Sequence, residues 1–176
     1  MTFLTSLGQV LHEEHFRILV CMCDLKNRVC GAAGERSFDT GDVQEQREMH
    51  GLIAALDHVL AHHAFEENIV FPLIRIEGVP GAAELFADEH RAIEPTAKNL
   101  RMLAVAILRH GPGQGRWEEF RRVAQSLYSQ MMDHLESEER VILQRLDSLL
   151  DSATDHRLAL QHLTSRRSPA ANGAAA

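Results

Sequence analysis

Residues 62 to 72 read His-His-Ala-Phe-Glu-Glu-Asn-Ile-Val-Phe-Pro, and this stretch decides both the fold and the chemistry that the sequence predicts. On an α-helix His62 and Glu66 lie four residues apart and therefore share one face. The rest of that face is apolar, so the sequence directs an ionisable pair toward a core. A carboxylate buried without a partner costs several kcal/mol. A bound metal ion would supply the missing compensation.

The same pattern recurs at His134-Leu-Glu-Ser-Glu138-Glu, with His and Glu again four residues apart. A second pair of segments also aligns without gaps, because the sequence around His15 matches the sequence around His90. In both halves of the chain the separation between the two histidines is similar. The chain is therefore predicted to contain two copies of one helical hairpin.

Apolar residues recur at helical spacing in four long segments. The predicted helices cover residues 2–30, 43–76, 81–109 and 116–150. Pro72 predicts a kink or an early break within the second of them. Short connections predict an all-α fold, an antiparallel up-down-up-down four-helix bundle with an internal two-hairpin repeat, over residues 1–150. Residues 151–176 are expected to hold a short helix, near 155–163, and a disordered tail from Ser165.

Composition limits the possible partners and compartment. The net charge of −7 argues against binding to nucleic acid or to an anionic membrane surface. No apolar run approaches the length of a membrane span and no signal peptide precedes the first helix, so we expect no membrane association. Three cysteines without a Cys-x-x-Cys pair indicate reduced thiols and a cytoplasmic protein. Eleven histidines are an excess that needs an explanation.

Positions that are polar in both copies of the repeat explain much of that excess. They give a predicted ligand set of His15, His62, Glu66, His90, His134 and Glu138. Imidazole together with carboxylate suits iron, manganese or zinc, and the lack of thiolates disfavours a purely structural zinc site. Glu66 and Glu138 can each bridge two ions. With an added oxo or hydroxo bridge, about one coordination position would stay open on each octahedral ion.

Other polar residues near these positions have less certain roles. Glu67 and Glu139 are predicted to lie at the edge of the face and to accept hydrogen bonds from ligating histidines, as are Glu14 and Glu89. Glu94 lies one turn after His90 and is an open alternative as an extra ligand or water-holding residue. The remaining histidines near the stripe are expected at the surface or flanking the site: His12, His50, His58 and His63.

Taken together, these motifs resemble the hemerythrin-like, HHE cation-binding family over about residues 4–150. The resemblance rests on His15 in the first helix, two His-x-x-x-Glu motifs, the Phe71-Pro72 that follows the first of them, and Glu89-His90. It implies a non-haem centre of two carboxylate-bridged iron ions inside a four-helix bundle. Oxygen-carrying members have a second histidine where this chain has Glu94. The four-His, two-Glu set is more similar to di-iron proteins implicated in repairing iron–sulfur clusters.

The resemblance and the open positions together predict binding of, or reaction with, O2, NO or peroxide in oxidative or nitrosative stress or in sensing. The alternative is a non-enzymatic iron storage or donor protein, including iron supply for iron–sulfur cluster repair. A redox-dependent signalling module is a further alternative. Catalytic turnover is left open, and the expected partner is a small gaseous or peroxide ligand.

Overall fold

The computed structural model describes residues 5–77 and 81–167, and all regular structure within these ranges is helical. The prediction of an all-α fold is confirmed. In chain order the helices are α1 (Ser6–Val29), α2 (Gly31–Glu35), α3 (Val43–Phe65), α4 (Phe71–Glu77), α5 (Ala82–His110), α6 (Gly113–Val141), α7 (Leu146–Leu149) and α8 (Ser152–Arg167). None of the helices described is both long enough and apolar enough to cross a membrane.

The second predicted helix is irregular close to Pro72, as expected, but the irregularity starts before the proline. After α3, residues Glu66–Val70 form a π-helical turn in which the Phe71 N–H donates to the Glu66 carbonyl, five residues back. Proline lacks an N–H and its ring crowds the carbonyl four residues earlier, so a wider turn relieves the clash. The Asn68 side-chain amide donates to the Ala64 carbonyl at 2.6 Å. The predicted ligand Glu66 is the first residue of this turn.

The fourth predicted helix ends earlier than expected. Helix α6 ends at Val141 instead of continuing to residue 150, and a 3₁₀ turn at Leu143–Arg145 leads into α7. The tighter turn redirects the chain across one end of the molecule, where Ile142, Leu143 and Leu146 are buried. These side chains join an apolar cluster with residues of α1, α4 and α5.

Each of the four long helices contacts two of the others. Helix α1 contacts α3 and α6, and α5 contacts the same two helices. Two apolar clusters fill the space between them: a larger one that includes Ile18, Ile93 and Met131, and a smaller one that includes Leu11 and Phe86. The predicted ligand positions fall between these clusters along each helix. The site is thus a polar layer enclosed by apolar residues on both sides.

Helix α8 is longer than the predicted short helix and packs on α1. Its Asp155 carboxylate accepts the backbone N–H groups of Ser6 at 2.8 Å and Leu7 at 2.9 Å. The first turn of α1 contains no acidic residue of its own, so Asp155 supplies the negative charge that a helix N-terminus favours. Residues 165–167 belong to α8, so the disorder predicted from Ser165 is wrong there. Residues 168–176 lie outside the described residues.

Candidate metal centre

The six predicted ligands come from four helices and from the π turn that follows α3, and they meet in the interior. His15 lies on α1, His62 on α3 and His90 on α5; Glu66 begins the π turn, and His134 and Glu138 lie one turn apart on α6. All six side chains are buried, with the most accessible of them, His15, only 3% exposed. The three- and four-residue periodicity that places them on inward faces also surrounds them with apolar residues.

One pair of histidines forms what we call the first half of the site. The Nε2 atoms of His15 and His62 lie 3.0 Å apart. Glu66 Oε1 lies 3.2 Å from the His62 Nε2 and 3.6 Å from the His15 Nε2. Glu138 Oε2 approaches the His15 Nε2 to 3.5 Å. Two nitrogens and two carboxylates thus face one small volume.

The other pair forms the second half in the same manner. The Nε2 atoms of His90 and His134 lie 3.2 Å apart. Glu138 Oε2 lies 3.2 Å from the His134 Nε2, and the Oε2 of Glu66 lies 3.5 Å from the His90 Nε2. Glu66 therefore directs one oxygen toward each half. Glu138 likewise approaches histidines of both halves.

This donor set fits a metal site. All four carboxylate oxygens of Glu66 and Glu138 are buried and accept no hydrogen bond from the described residues. Two groups of four donors, each with its ligand atoms within 4.8 Å of one another, share these two glutamates. Neighbouring ligands on an octahedral ion with bonds of about 2.1 Å lie about 3 Å apart. The observed separations are close to that spacing.

Each of the four histidines predicted as ligands is oriented by a carboxylate from another element. The pairs are His62 Nδ1 with Glu14 and His134 Nδ1 with Glu89, both at 2.8 Å, and His15 Nδ1 with Glu139 and His90 Nδ1 with Glu67, both at 3.0 Å. Donation from Nδ1 fixes the tautomer that leaves Nε2 available to a metal. The pairing follows the internal repeat, because equivalent glutamates serve equivalent histidines. These are the hydrogen bonds that the sequence predicted for the four glutamates.

The electrostatics of the metal-free site show a competition between protons and cations. Burial alone would lower the pKa of His62, but the Glu66 carboxylate and the hydrogen bond to Glu14 raise it to about 10. Burial would also lower the pKa of His134, but Glu138 and the hydrogen bond to Glu89 raise it to about 9. Burial would raise the pKa of Glu66, yet His62 and His15 hold it well below its usual range. Imidazolium protons therefore provide the positive charge that a metal would replace.

Comparison with known proteins agrees with this geometry. The sequence model of the hemerythrin HHE cation-binding domain matches residues 9–146, which include all six predicted ligands. The chain belongs to this family. Members bind metal cations through this domain, and the buried His and Glu groups provide a place to hold them. No curated protein and no solved structure matches the chain.

Within this HHE domain His63 flanks the predicted ligands, which is one of the two places that the sequence left open for it. Its side chain is fully buried and is not at the surface. The His63 ring stacks on the ring of His90, with centroids 3.8 Å apart and planes 7° from parallel. Burial and the neighbouring His90 lower the pKa of His63 to about 2. The repeat held the missed signal, because the equivalent residue, Leu135, is a core residue and marks the position as buried.

Among the residues whose roles the sequence left open, Glu94 was the one considered as an extra metal ligand. Glu94 is 28% exposed and pairs with the Lys98 ammonium at 2.6 Å, on the outside of α5. His12 and His50 are exposed, and His58 is half-buried beside His62, as predicted. Glu94 does not join the ligand groups found among the described residues, so the geometry does not support it as an additional ligand.

A second residue that the sequence analysis missed is His162, which lies on α8 beyond the matched domain. Its Nε2 donates to Glu14 Oε1 at 2.9 Å, and the opposite oxygen of Glu14 accepts from His62. Phe65 packs on the His162 ring with centroids 3.8 Å apart. No sequence signal connected α8 to the site, because this helix has no counterpart in the repeat.

Proposed function

We propose that the chain is a non-haem di-iron protein whose centre binds or reacts with O2, NO or peroxide, in stress response or in sensing. His15 and His62 would hold one iron, His90 and His134 the other, and Glu66 and Glu138 would bridge them together with an oxo or hydroxo group. The four long helices are taken as an antiparallel bundle. The observation that carries the proposal is the convergence of unpartnered glutamate oxygens between two histidine pairs.

The donor chemistry supports iron or manganese over a structural zinc ion, and we propose iron. Each half offers imidazole nitrogens and carboxylate oxygens and no thiolate, a set that suits iron or manganese and is unlike structural zinc sites. Cys21, Cys23 and Cys30 are free thiols that belong to none of the ligand groups found among the described residues. Iron would supply the electrons and the open coordination position that small ligands need.

The surrounding residues would define the environment of that open coordination position. Glu14, Glu67, Glu89 and Glu139 keep the four imidazoles in one tautomer and orientation. The apolar clusters on both sides of the site exclude water, which strengthens every electrostatic interaction within it. Iron storage or donation, the alternative from the sequence, receives less support because all six ligands are buried and an exchangeable ion needs an accessible path.

Metal analysis combined with rapid mixing tests the proposal. Purified protein should contain two irons per chain and show a near-ultraviolet charge-transfer band. Mixing the reduced protein with O2 and, separately, with NO should change the visible spectrum within the mixing experiment. Two bound irons with no spectral change in either gas and ready loss of iron to a chelator would favour storage instead. Absence of iron would reject both functions.

A further inference from the structure

We propose that His63 binds the exogenous ligand of this centre, by donating an N–H hydrogen bond to a small peroxidic or azide-like anion held at the second half of the site. The inference rests on the proposed function and assigns one residue within it. It adds a histidine that is outside the ligand set predicted from the repeat.

The first observation is an unsatisfied ring. His63 is fully buried, and neither Nδ1 nor Nε2 has a hydrogen-bond partner among the described residues. Leaving a buried polar group unpaired costs about 1–3 kcal/mol, so such groups in native proteins have a reason to be there. An imidazole carries at least one N–H in either protonation state. The ring therefore offers a donor that no described protein group accepts.

The second observation is where that donor lies. A nitrogen of His63 lies within 4.8 Å of the ligand nitrogens of both His90 and His134. Phe71 stacks on the His90 ring with centroids 5.3 Å apart, and Phe86 meets the His134 ring edge-on. The donor therefore lies next to the second half among surroundings that include two apolar rings. Hydrogen bonds to an anion are strong in such surroundings.

His63, His90 and His134 also form a group whose ring nitrogens could hold a metal ion, so a donor has to be distinguished from a seventh protein ligand. The lone pair of a ligating imidazole lies in the ring plane, so an ion held by His90 lies close to the plane of that ring. The His63 ring is parallel to the His90 ring with centroids 3.8 Å apart, so one ion cannot lie in the planes of both rings. That arrangement favours a hydrogen-bond donor that reaches a small ligand of such an ion from beside the His90 plane.

The internal repeat predicts that only one half has this donor. At the position equivalent to His63 the other hairpin has Leu135, a buried residue without a hydrogen-bonding group. The first half is therefore matched in its ligands but lacks the donor. We infer that small anions bind preferentially at the second half.

Azide titration of the oxidised, iron-loaded protein tests the proposal, followed by the azide-to-iron charge-transfer band. His63→Leu, which installs the residue of the other hairpin, should keep two irons and weaken azide binding by about tenfold or more, the loss expected for a hydrogen bond to a charged group. His63→Gln, which keeps an N–H donor, should recover part of the affinity. His50→Leu, an exposed histidine on the same helix, should bind azide like the unaltered protein.

Each contrary result has a distinct meaning. Unchanged azide affinity in His63→Leu with two irons bound would overturn the assignment of His63. Loss of one iron in His63→Leu would overturn it as well, because His63 would then be a metal ligand. If the unaltered protein holds two irons yet binds azide, O2 and NO in no measurable way, the proposed function itself fails, and the role of His63 fails with it.

Discussion

His62 and His134 occupy equivalent places in the two hairpins, yet their carboxylate partners lie in different surroundings. Glu14, the partner of His62, is 1% exposed and also accepts a hydrogen bond from His162 on α8. Glu89, the partner of His134, has a side chain that is 31% exposed. The repeat has thus preserved the ligands and their acceptors, while a helix outside the repeat has enclosed one of the two halves.

The second half differs in another way. His63 lies beside His90 and His134, whereas the equivalent position of the repeat is Leu135. Carboxylates behind ligating histidines commonly change metal affinity by about 10–100-fold when they are altered. We therefore expect the two ions to differ in how firmly they are held, the first more firmly, and in which of them accepts a small ligand. The internal repeat therefore accounts for the donor residues of both halves but not for the residues that surround them.

We expect the largest effect from removing a carboxylate that faces both halves of the site. Glu66→Ala deletes a carboxylate that faces histidines of both halves, so metal content should fall from two ions per chain to one or none. Glu94→Ala is the matched control, because this glutamate is 28% exposed, pairs with Lys98 and belongs to none of the ligand groups found among the described residues. Metal analysis of both variants measures the contrast. Two ions retained in Glu66→Ala would show that this glutamate does not bridge.

The all-α fold and the convergence of the six predicted ligands could be predicted from the sequence because both depend on short-range periodicity. Residues four apart share a helix face, and the repeat chose between neighbours such as Glu66 and Glu67. The π turn was not predictable, since one widened turn leaves no periodic signal in five residues. His63 is not polar in both copies of the repeat and so is outside the predicted set, but its buried apolar counterpart Leu135 also indicates that the position is buried. The position of His162 beside the site was not predictable, because it depends on a hydrogen bond to Glu14, which is 148 residues away in the sequence.

Metal removal should be the next largest effect, acting on the two halves together. Without cations, the buried carboxylates of Glu66 and Glu138 depend on imidazolium protons alone, and the binding free energy of two ions no longer adds to folding. The metal-free protein should unfold several degrees or more below the loaded protein. Thermal unfolding before and after chelation, with metal added back as the control, measures this. Identical midpoints would contradict a buried, folding-coupled centre.

The pH dependence of the metal-free protein should be smaller, and it follows from one histidine of each half. The folded-state pKa values of His62 and His134, about 10 and about 9, exceed the unfolded value of about 6.5. Their stabilisation is therefore fully present below pH 6.5 and is lost as pH rises through 9 to 10. The loaded protein, whose Nε2 atoms hold metal, should lose less. Thermal midpoints of both forms between pH 6.5 and 9.5 test this; parallel curves would contradict it.

The smallest expected effect isolates the asymmetry itself. His162→Leu removes the hydrogen bond that α8 makes to Glu14 and should leave two irons bound, because no ligand is altered. The His62 imidazole would then be less firmly oriented, so one of the two irons should be released to a chelator faster, by up to about tenfold. His162→Gln, which keeps an N–H donor, should release iron at nearly the original rate, and so should His156→Leu, an exposed residue of α8.

Glu89→Gln provides the comparison in the other half, because it weakens the acceptor for His134 without touching α8. It should accelerate release of the other iron, so combining it with His162→Leu should make both phases fast. If α8 were only a structural support, both irons would be released faster in His162→Leu and His162→Gln would not restore the slow phase. If release is unchanged in His162→Leu, the enclosure of Glu14 does not influence the metal, and the two halves are equivalent in spite of their different surroundings.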